Sequence, residues 1–275
     1  MSSYYYGNPD KANSWEYAAS IFAAHESVYS EKTSSLPLVQ FWKPTRNGDV
    51  AKHAQAFLDR YELPGDLRNA DFCFEYPVPV KKGCRGKASM TDLMILSESC
   101  VVAIEAKWTE CCEPYESIQN WLKHGNSENH EKVLDGWLSY INDYLGKRES
   151  KFILNRTNLK EGKIPYQMLH RIASACAVAS GTEGRARAVV IYQLFYDDDT
   201  REKMESFAQM LNDSYGALFP YANMMHFFVN KVKVVIKEKA EIEKIANRAC
   251  HDKSAFNDIF ILMQDKEVYD FSLSD

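Results

Sequence analysis

Two apolar runs, Ser89 to Leu96 and Val101 to Trp108, stand back to back and are joined only by the short turn Ser97-Glu98-Ser99-Cys100. Such a pair reads as two strands of a hairpin. Successive strand residues point to opposite faces, so Glu105 and Lys107 share one face while Val102, Ile104, Ala106 and Trp108 take the other. With the turn centred between Glu98 and Ser99, paired residue numbers sum to 197. That register sets Asp92 opposite Glu105 and Met90 opposite Lys107. An odd-numbered loop would shift the pairing by one and separate the two acids.

Like charges directly opposite each other destabilise an antiparallel pair, and charges ending a run as apolar as Val101-Val102-Ala103-Ile104 need partners. A divalent cation is one such partner. Two carboxylates plus water suit Mg²⁺ or Mn²⁺, and a nearby lysine adds a cation beside a metal-bound water or a phosphate. The competing reading is structural: Glu105 and Lys107 form an edge-strand ion pair with no chemistry. Acids bonded to structural arginines in the interior would favour it.

The arrangement of an Asp near the end of one strand, twelve intervening residues, and Glu-x-Lys on the next strand is carried here by Asp92, Glu105, Ala106 and Lys107. In this the chain resembles the PD-(D/E)XK, or restriction-endonuclease-like, nuclease superfamily, with Thr91 where the family name has proline. The resemblance covers an αβββα heart of the chain. It implies a metal-dependent nuclease that hydrolyses phosphodiester bonds, DNA before RNA, with Asp92, Glu105 and the Ala106 backbone carbonyl as ligands of Mg²⁺ or Mn²⁺. Lys107 would orient or help deprotonate the attacking water. Glu62, ending the helix before the sheet, and Gln119, on the helix after it, hold places where such nucleases often add a polar residue, although an exposed side chain is the default for both. Many restriction-type enzymes act as dimers, which is the ground for expecting a homodimer. The alternative, from another class, is a catalytically inactive module on the same fold that binds nucleic acid or protein.

Charge bears on the partner. A net charge of −5 counts against a generic nucleic-acid binder. A local patch can still contact phosphates, and Lys81, Lys82, Arg85 and Lys87 offer one just before the Asp92 strand, if they are not simply a solvated loop. Seven cysteines, an odd count with no CxxC, indicate reduced thiols packed as small hydrophobes. The seven histidines form no HExxH. No basic-then-apolar leader begins the chain, and apolar runs such as Val189 to Phe195 are too short to span a bilayer, so a cytoplasmic protein without a membrane partner is expected. The absence of a strand, Gly-rich loop and helix fingerprint disfavours nucleotide-cofactor enzymes.

Along the chain, helices are expected over 11–26, carrying Trp15, Ala18, Ile21 and Phe22, and over 50–61, with a loose connection through Pro37 between them. Asp71 to Val80 reads as the first strand. Its Pro77 and Pro79 confine the second half to an edge, and Glu75 is either a further site carboxylate or a surface residue. Further helices follow from Tyr115, from Val133 to Leu145 and from Tyr166 to Ser180, with a basic, flexible loop from Arg148 to Lys163 over the site. A buried strand spans Ala186 to Tyr196. Asp197-Asp198-Asp199-Thr200 reads as the cap of a helix from Arg201 rather than a metal site. One or two strands over His226 to Ile236 and a helix over Ala240 to Ala249 complete the pattern. The order describes an α/β (α+β) fold with a mixed central β-sheet flanked by helices. It is expected as one nuclease-like domain over 1–275, with an N-terminal helical extension to about residue 48 and a core to about residue 240.

Overall fold

The computed structural model describes residues 2–9, 14–15, 17–18, 34–45, 49–50, 52–63, 65–79, 88–112, 114–124, 127–148, 150–159, 164–181, 186–219 and 225–234. The sheet begins with β1 (Ser3–Tyr6). Two short helices, α1 (Ser35–Phe41) and α2 (Lys52–Arg60), lead to the meander β2 (Asp71–Val78), β3 (Ser89–Leu96) and β4 (Cys100–Lys107). Then come α3 (Ile118–Lys123), α4 (Ser127–Gly146), α5 (Tyr166–Gly181), β5 (Arg187–Tyr196), α6 (Arg201–Leu218) and β6 (His226–Lys233).

The six strands form one mixed sheet in chain order. β1 is parallel to β2, the β2–β3–β4 meander is antiparallel, and β4, β5 and β6 are mutually parallel. Parallel neighbours need crossovers, which α3 to α5 and then α6 supply. Helices α4, α5 and α6 pack on one face of the sheet, and α1 and α2 pack on the other. One core holds Trp42, Phe57, Phe72, Ile104 and Phe195 together with Trp15 and Ala18, and the other holds Met94, Ala103, Ile141, Met168, Ile172 and Leu211. Cover on both faces explains why β4 and β5 show continuous apolar runs: every residue of β4 except Lys107, and every residue of β5 except Arg187, is buried. Ala173, Ala175, Cys176 and Ala179 are fully buried on α5, where small side chains let the helix lie close to the sheet.

The hairpin register holds from Leu96–Val101 to Leu93–Ile104, and those paired numbers sum to 197. The edge reading of β2 also holds: β1 pairs only with Asp71 to Phe74, leaving the Pro77 half unpaired on that side. Several expectations need correction. The elements expected from sequence begin at residue 11, yet Ser3–Tyr6 docks as an edge strand, with Tyr4 stacked on Phe72 at 5.0 Å. The Pro37 connection is helical, because proline is tolerated in a first turn. The described part of the 148–163 loop is tied down: Arg156 makes two 2.8 Å bonds to Asp135, and Asn142 clamps both the N–H and C=O of Leu154.

In the acidic turn, Asp197 Oδ1 accepts from the Thr200 N–H at 2.9 Å, Asp198 pairs with Lys233 at 2.8 Å, and Thr200 makes no side-chain cap bond. The expected helix at 240–249, most of the expected helix at 11–26, and Lys81, Lys82, Arg85 and Lys87 lie outside the described residues. Among the described residues no helix is long and apolar enough to cross a membrane.

Candidate active site

Beyond Leu93–Ile104 the hairpin ladder stops, and the reason is local. At the next register step Asp92 would face Glu105 on one side and Glu75 on the other, but neither is a ladder pair. Glu75 takes a left-handed backbone conformation, φ 50°, which L side chains adopt at a cost of about 1 kcal/mol. At this point both strands exchange faces. Phe74 and Leu93 lie in one core, whereas Tyr76 packs against the other, and Ser89 and Thr91 bond to α5. Asp92 is consequently turned edgewise, and its Oδ2 accepts from the Ala106 N–H at 2.8 Å. A strand residue's N–H and C=O point to the same side, so the Ala106 carbonyl is also directed toward the β3 side, past the end of the ladder.

Glu105 and Lys107 share a face, as alternation requires. Lys107 Nζ lies 2.9 Å from Glu105 Oε1. The other oxygen, Oε2, is bonded by Nη2 of Arg171, a residue only 4% exposed on α5. Arg171 Nη1 donates to the Met90 carbonyl at 2.9 Å and to Thr91 Oγ1 at 2.7 Å. Thr91 thus anchors a buried guanidinium. Behind β4, Glu110 fixes the following turn by accepting from the Trp108 N–H at 2.8 Å and the Ser34 hydroxyl at 3.0 Å.

The electrostatics follow from this packing. Burial opposes charge on Glu105, but Arg171 and Lys107 outweigh it and hold the carboxyl below its ordinary range. Burial and the charge of Glu105 push Asp92 up. Glu75 is pushed up to about 7 by burial, then by Asp92. Lys107 is held above its usual value, since Glu105 and Asp92 outweigh its own desolvation. Three carboxylates therefore face two permanent cations, which leaves the cluster one negative charge in excess when all are ionised. Among the described residues, two buried polar atoms beside the acids have no partner: the Tyr192 hydroxyl, on the β5 residue paired with Glu105, and Arg171 Nε.

Asp92, Glu105, Lys107 and Glu75 are therefore brought together. Glu62 is not: it lies exposed at the end of α2 beside Arg187 and His226, at the opposite end of the parallel strands, because α2 crosses the other face of the sheet. Gln119 donates to the Leu159 carbonyl and so ties the 150–159 segment to α3. Arg171 and Tyr192 were not anticipated. The signal for Arg171 was available, since an arginine inside the apolar stretch Leu169 to Ala179 has to find a buried counter-charge.

Among the described residues no three His, Cys, Asp or Glu side chains are grouped so as to hold a metal ion by themselves. A cation at this place would rely on Asp92, Glu105, the Ala106 carbonyl and water. That set is compatible with a hard ion: it is all oxygen, Glu75 beside it gives the cluster one negative charge in excess when its carboxylates are ionised, and the two donors without a described partner could hold water or phosphate oxygens. Next to the cluster a cleft of about 430 Å³ opens between Cys111, Cys112 and Tyr115 and the first turns of α6. The Cys111 thiol on its wall is pushed up to about 12 by burial and then by Glu110, which makes it a packing group rather than a nucleophile.

Fold and site together define a three-layer α/β domain with a buried acid–base cluster where its antiparallel hairpin opens. A family model matches residues 11–237, and the chain belongs to that family, described as a domain of unknown function (DUF6946). No curated protein and no solved structure matches the chain.

Proposed function

We propose that the chain is a metal-dependent nuclease that hydrolyses phosphodiester bonds, DNA being the first substrate to test. The observation that supports this reading is the meeting of Glu75, Asp92, Glu105, Lys107 and Arg171 at the point where the β3–β4 ladder ends, with one more carboxylate than cations. Asp92, Glu105 and the Ala106 carbonyl would hold Mg²⁺ or Mn²⁺, which when bound lowers the pKa of coordinated water and polarises a phosphoryl oxygen. Asp92 is positioned by its bond to the Ala106 N–H. Lys107, charged at every working pH, orients the attacking water and offsets charge on the phosphate. Arg171 keeps Glu105 ionised and fixed, and the Tyr192 hydroxyl is a donor waiting for an acceptor. DNA as partner and a homodimer rest on the resemblance of the Asp92, Glu105 and Lys107 pattern.

One observation favours a second reading. Glu105 is bonded to a buried arginine, the mark set above for a structural acid, although Asp92 is not. On that reading the cluster is a stabilising network in a catalytically inactive binding module. Incubation of the full chain with DNA and with RNA, each with Mg²⁺, with Mn²⁺ and with EDTA, tests the first reading. Divalent-dependent cleavage lost in folded Asp92→Asn and Lys107→Met variants is expected. Variants that cut as well as the parent would overturn the roles assigned, and DNA binding without metal uptake or cleavage would favour the second reading.

A further inference from the structure

On the other face of the sheet and at its opposite end, α2, β5 and β6 enclose a cleft of about 250 Å³. Its aromatic wall is preformed. The Tyr61 and Phe228 rings lie 4.5 Å apart at 31°, and His226 stacks on Phe228 at 6.3 Å. Tyr61 is pinned by its hydroxyl, which lies 3.3 Å from the Val229 carbonyl and 3.4 Å from Asn230 Oδ1.

Cations surround this wall. The Arg60 guanidinium lies 5.8 Å from the centre of the Tyr61 ring. Arg187 opens β5, and its N–H donates to the Ser99 carbonyl at 2.8 Å, but its guanidinium makes no hydrogen bond or ion pair with another described residue. Partial desolvation, then Arg187 and Arg148, hold His226 below its usual range.

Glu62 stands at the rim. The Glu62 N–H donates to the Asp59 carbonyl and the Leu63 N–H to the Leu58 carbonyl, both at 3.1 Å, which closes α2 with Glu62 at a left-handed φ of 47°. Glycine is strongly preferred at that position, and a glutamate there costs about 1 kcal/mol. Among the described residues the non-glycine positions with positive φ are Glu62 and Glu75, one at each site. Strained backbone gathers where function holds it.

We propose that this cleft binds a single nucleotide unit, free or at the end of a strand. The base stacks on the Phe228, Tyr61 and His226 rings, the phosphate pairs with Arg187 and Arg60, and the Glu62 carboxylate accepts from N–H donors on the base edge, of which guanine presents an adjacent pair. The cleft shares no residue with the acid cluster, so it stands or falls independently of the nuclease reading.

Calorimetric titration of the full chain in EDTA tests it, with guanosine 5′-monophosphate, guanosine, inorganic phosphate and a 5′-phosphorylated trinucleotide beginning with guanosine as probes. The monophosphate is expected to bind at least about tenfold more tightly than guanosine or phosphate alone, because only it meets both halves of the site. Arg187→Ala and, separately, Glu62→Gln are each expected to weaken it about tenfold, with circular dichroism unchanged. Equal affinity for the trinucleotide assigns the cleft to free nucleotide, and tighter binding assigns it to strand ends. No binding of either at about 1 mM, or binding that both variants leave unaltered, overturns the proposal.

Discussion

Replacing Arg171 by Met separates the structural role of the cluster from its proposed cation site. The substitution removes one partner of a buried ion pair, which ordinarily costs about 3–5 kcal/mol. Here Lys107 remains 2.9 Å from Glu105, so the carboxylate keeps a cation and the lower end applies. Thr91 Oγ1 loses its donor in the interior, adding about 1 kcal/mol, while the Met90 carbonyl belongs to a residue 42% exposed and can turn to water. Removing the unpartnered Nε recovers about 1 kcal/mol, leaving a net loss of about 3 kcal/mol.

The same change raises the excess charge of the cluster from one negative to two, so a divalent cation should bind more tightly. Saturating Mg²⁺, at about one hundred times its Kd, would return about 2.7 kcal/mol. Urea unfolding of parent and Arg171→Met in EDTA and in Mg²⁺ measures both quantities. A loss below about 1 kcal/mol in EDTA would refute the buried-pair reasoning, and a full loss that Mg²⁺ does not repair would refute the cation site.

Other outcomes follow from the same geometry. Because Glu75 is raised to about 7 in the folded state, the unfolded chain releases that proton first. Its contribution is present below about pH 4.5 and lost as pH rises through about 7, with a ceiling of about 3 kcal/mol. Asp92 acts with the same sign, and denaturation in Mg²⁺ across this window should show a flatter slope than in EDTA. Glu105 has the opposite sign and gives up its stabilisation only in strong acid. Tyr192→Phe should leave urea stability unchanged or raise it by up to about 1 kcal/mol while slowing cleavage, since the hydroxyl has no partner among the described residues. Glu62→Gly should stabilise the chain by about 0.5–1 kcal/mol in the same unfolding assay by relieving the left-handed strain at the end of α2.

Much of this was legible in the sequence, and the limits have physical causes. The hairpin register followed from the short turn and the apolar runs on either side of it. The face shared by Glu105 and Lys107 followed from strand alternation. What alternation could not give was the exchange of faces at Glu75 and Asp92, which comes from one left-handed residue inside a strand, a conformation glutamate does not advertise. Asp92 was expected to face Glu105 and instead turns toward the Ala106 N–H. Arg171 comes from a helix some sixty residues after Lys107, and only the packing of α5 on β4 brings it to Glu105. Glu62 lay at the right place in sequence order but at the wrong end of the sheet, because the path of α2 over the other face is a tertiary property. The strand at Ser3–Tyr6 was hidden by its brevity, since four polar and aromatic residues carry no period until β2 offers an edge.

The proposed chemistry requires that the carboxylates at the open end of the hairpin take up a divalent cation. Calorimetric titration of Mn²⁺ into the full chain at pH 7, in buffers of differing ionisation enthalpy, measures this directly. One ion per chain is expected, with protons released because burial raises both Asp92 and Glu75 before the ion binds, and with uptake abolished in a folded Asp92→Asn variant. Absence of uptake, or uptake that Asp92→Asn leaves unchanged, would contradict the account.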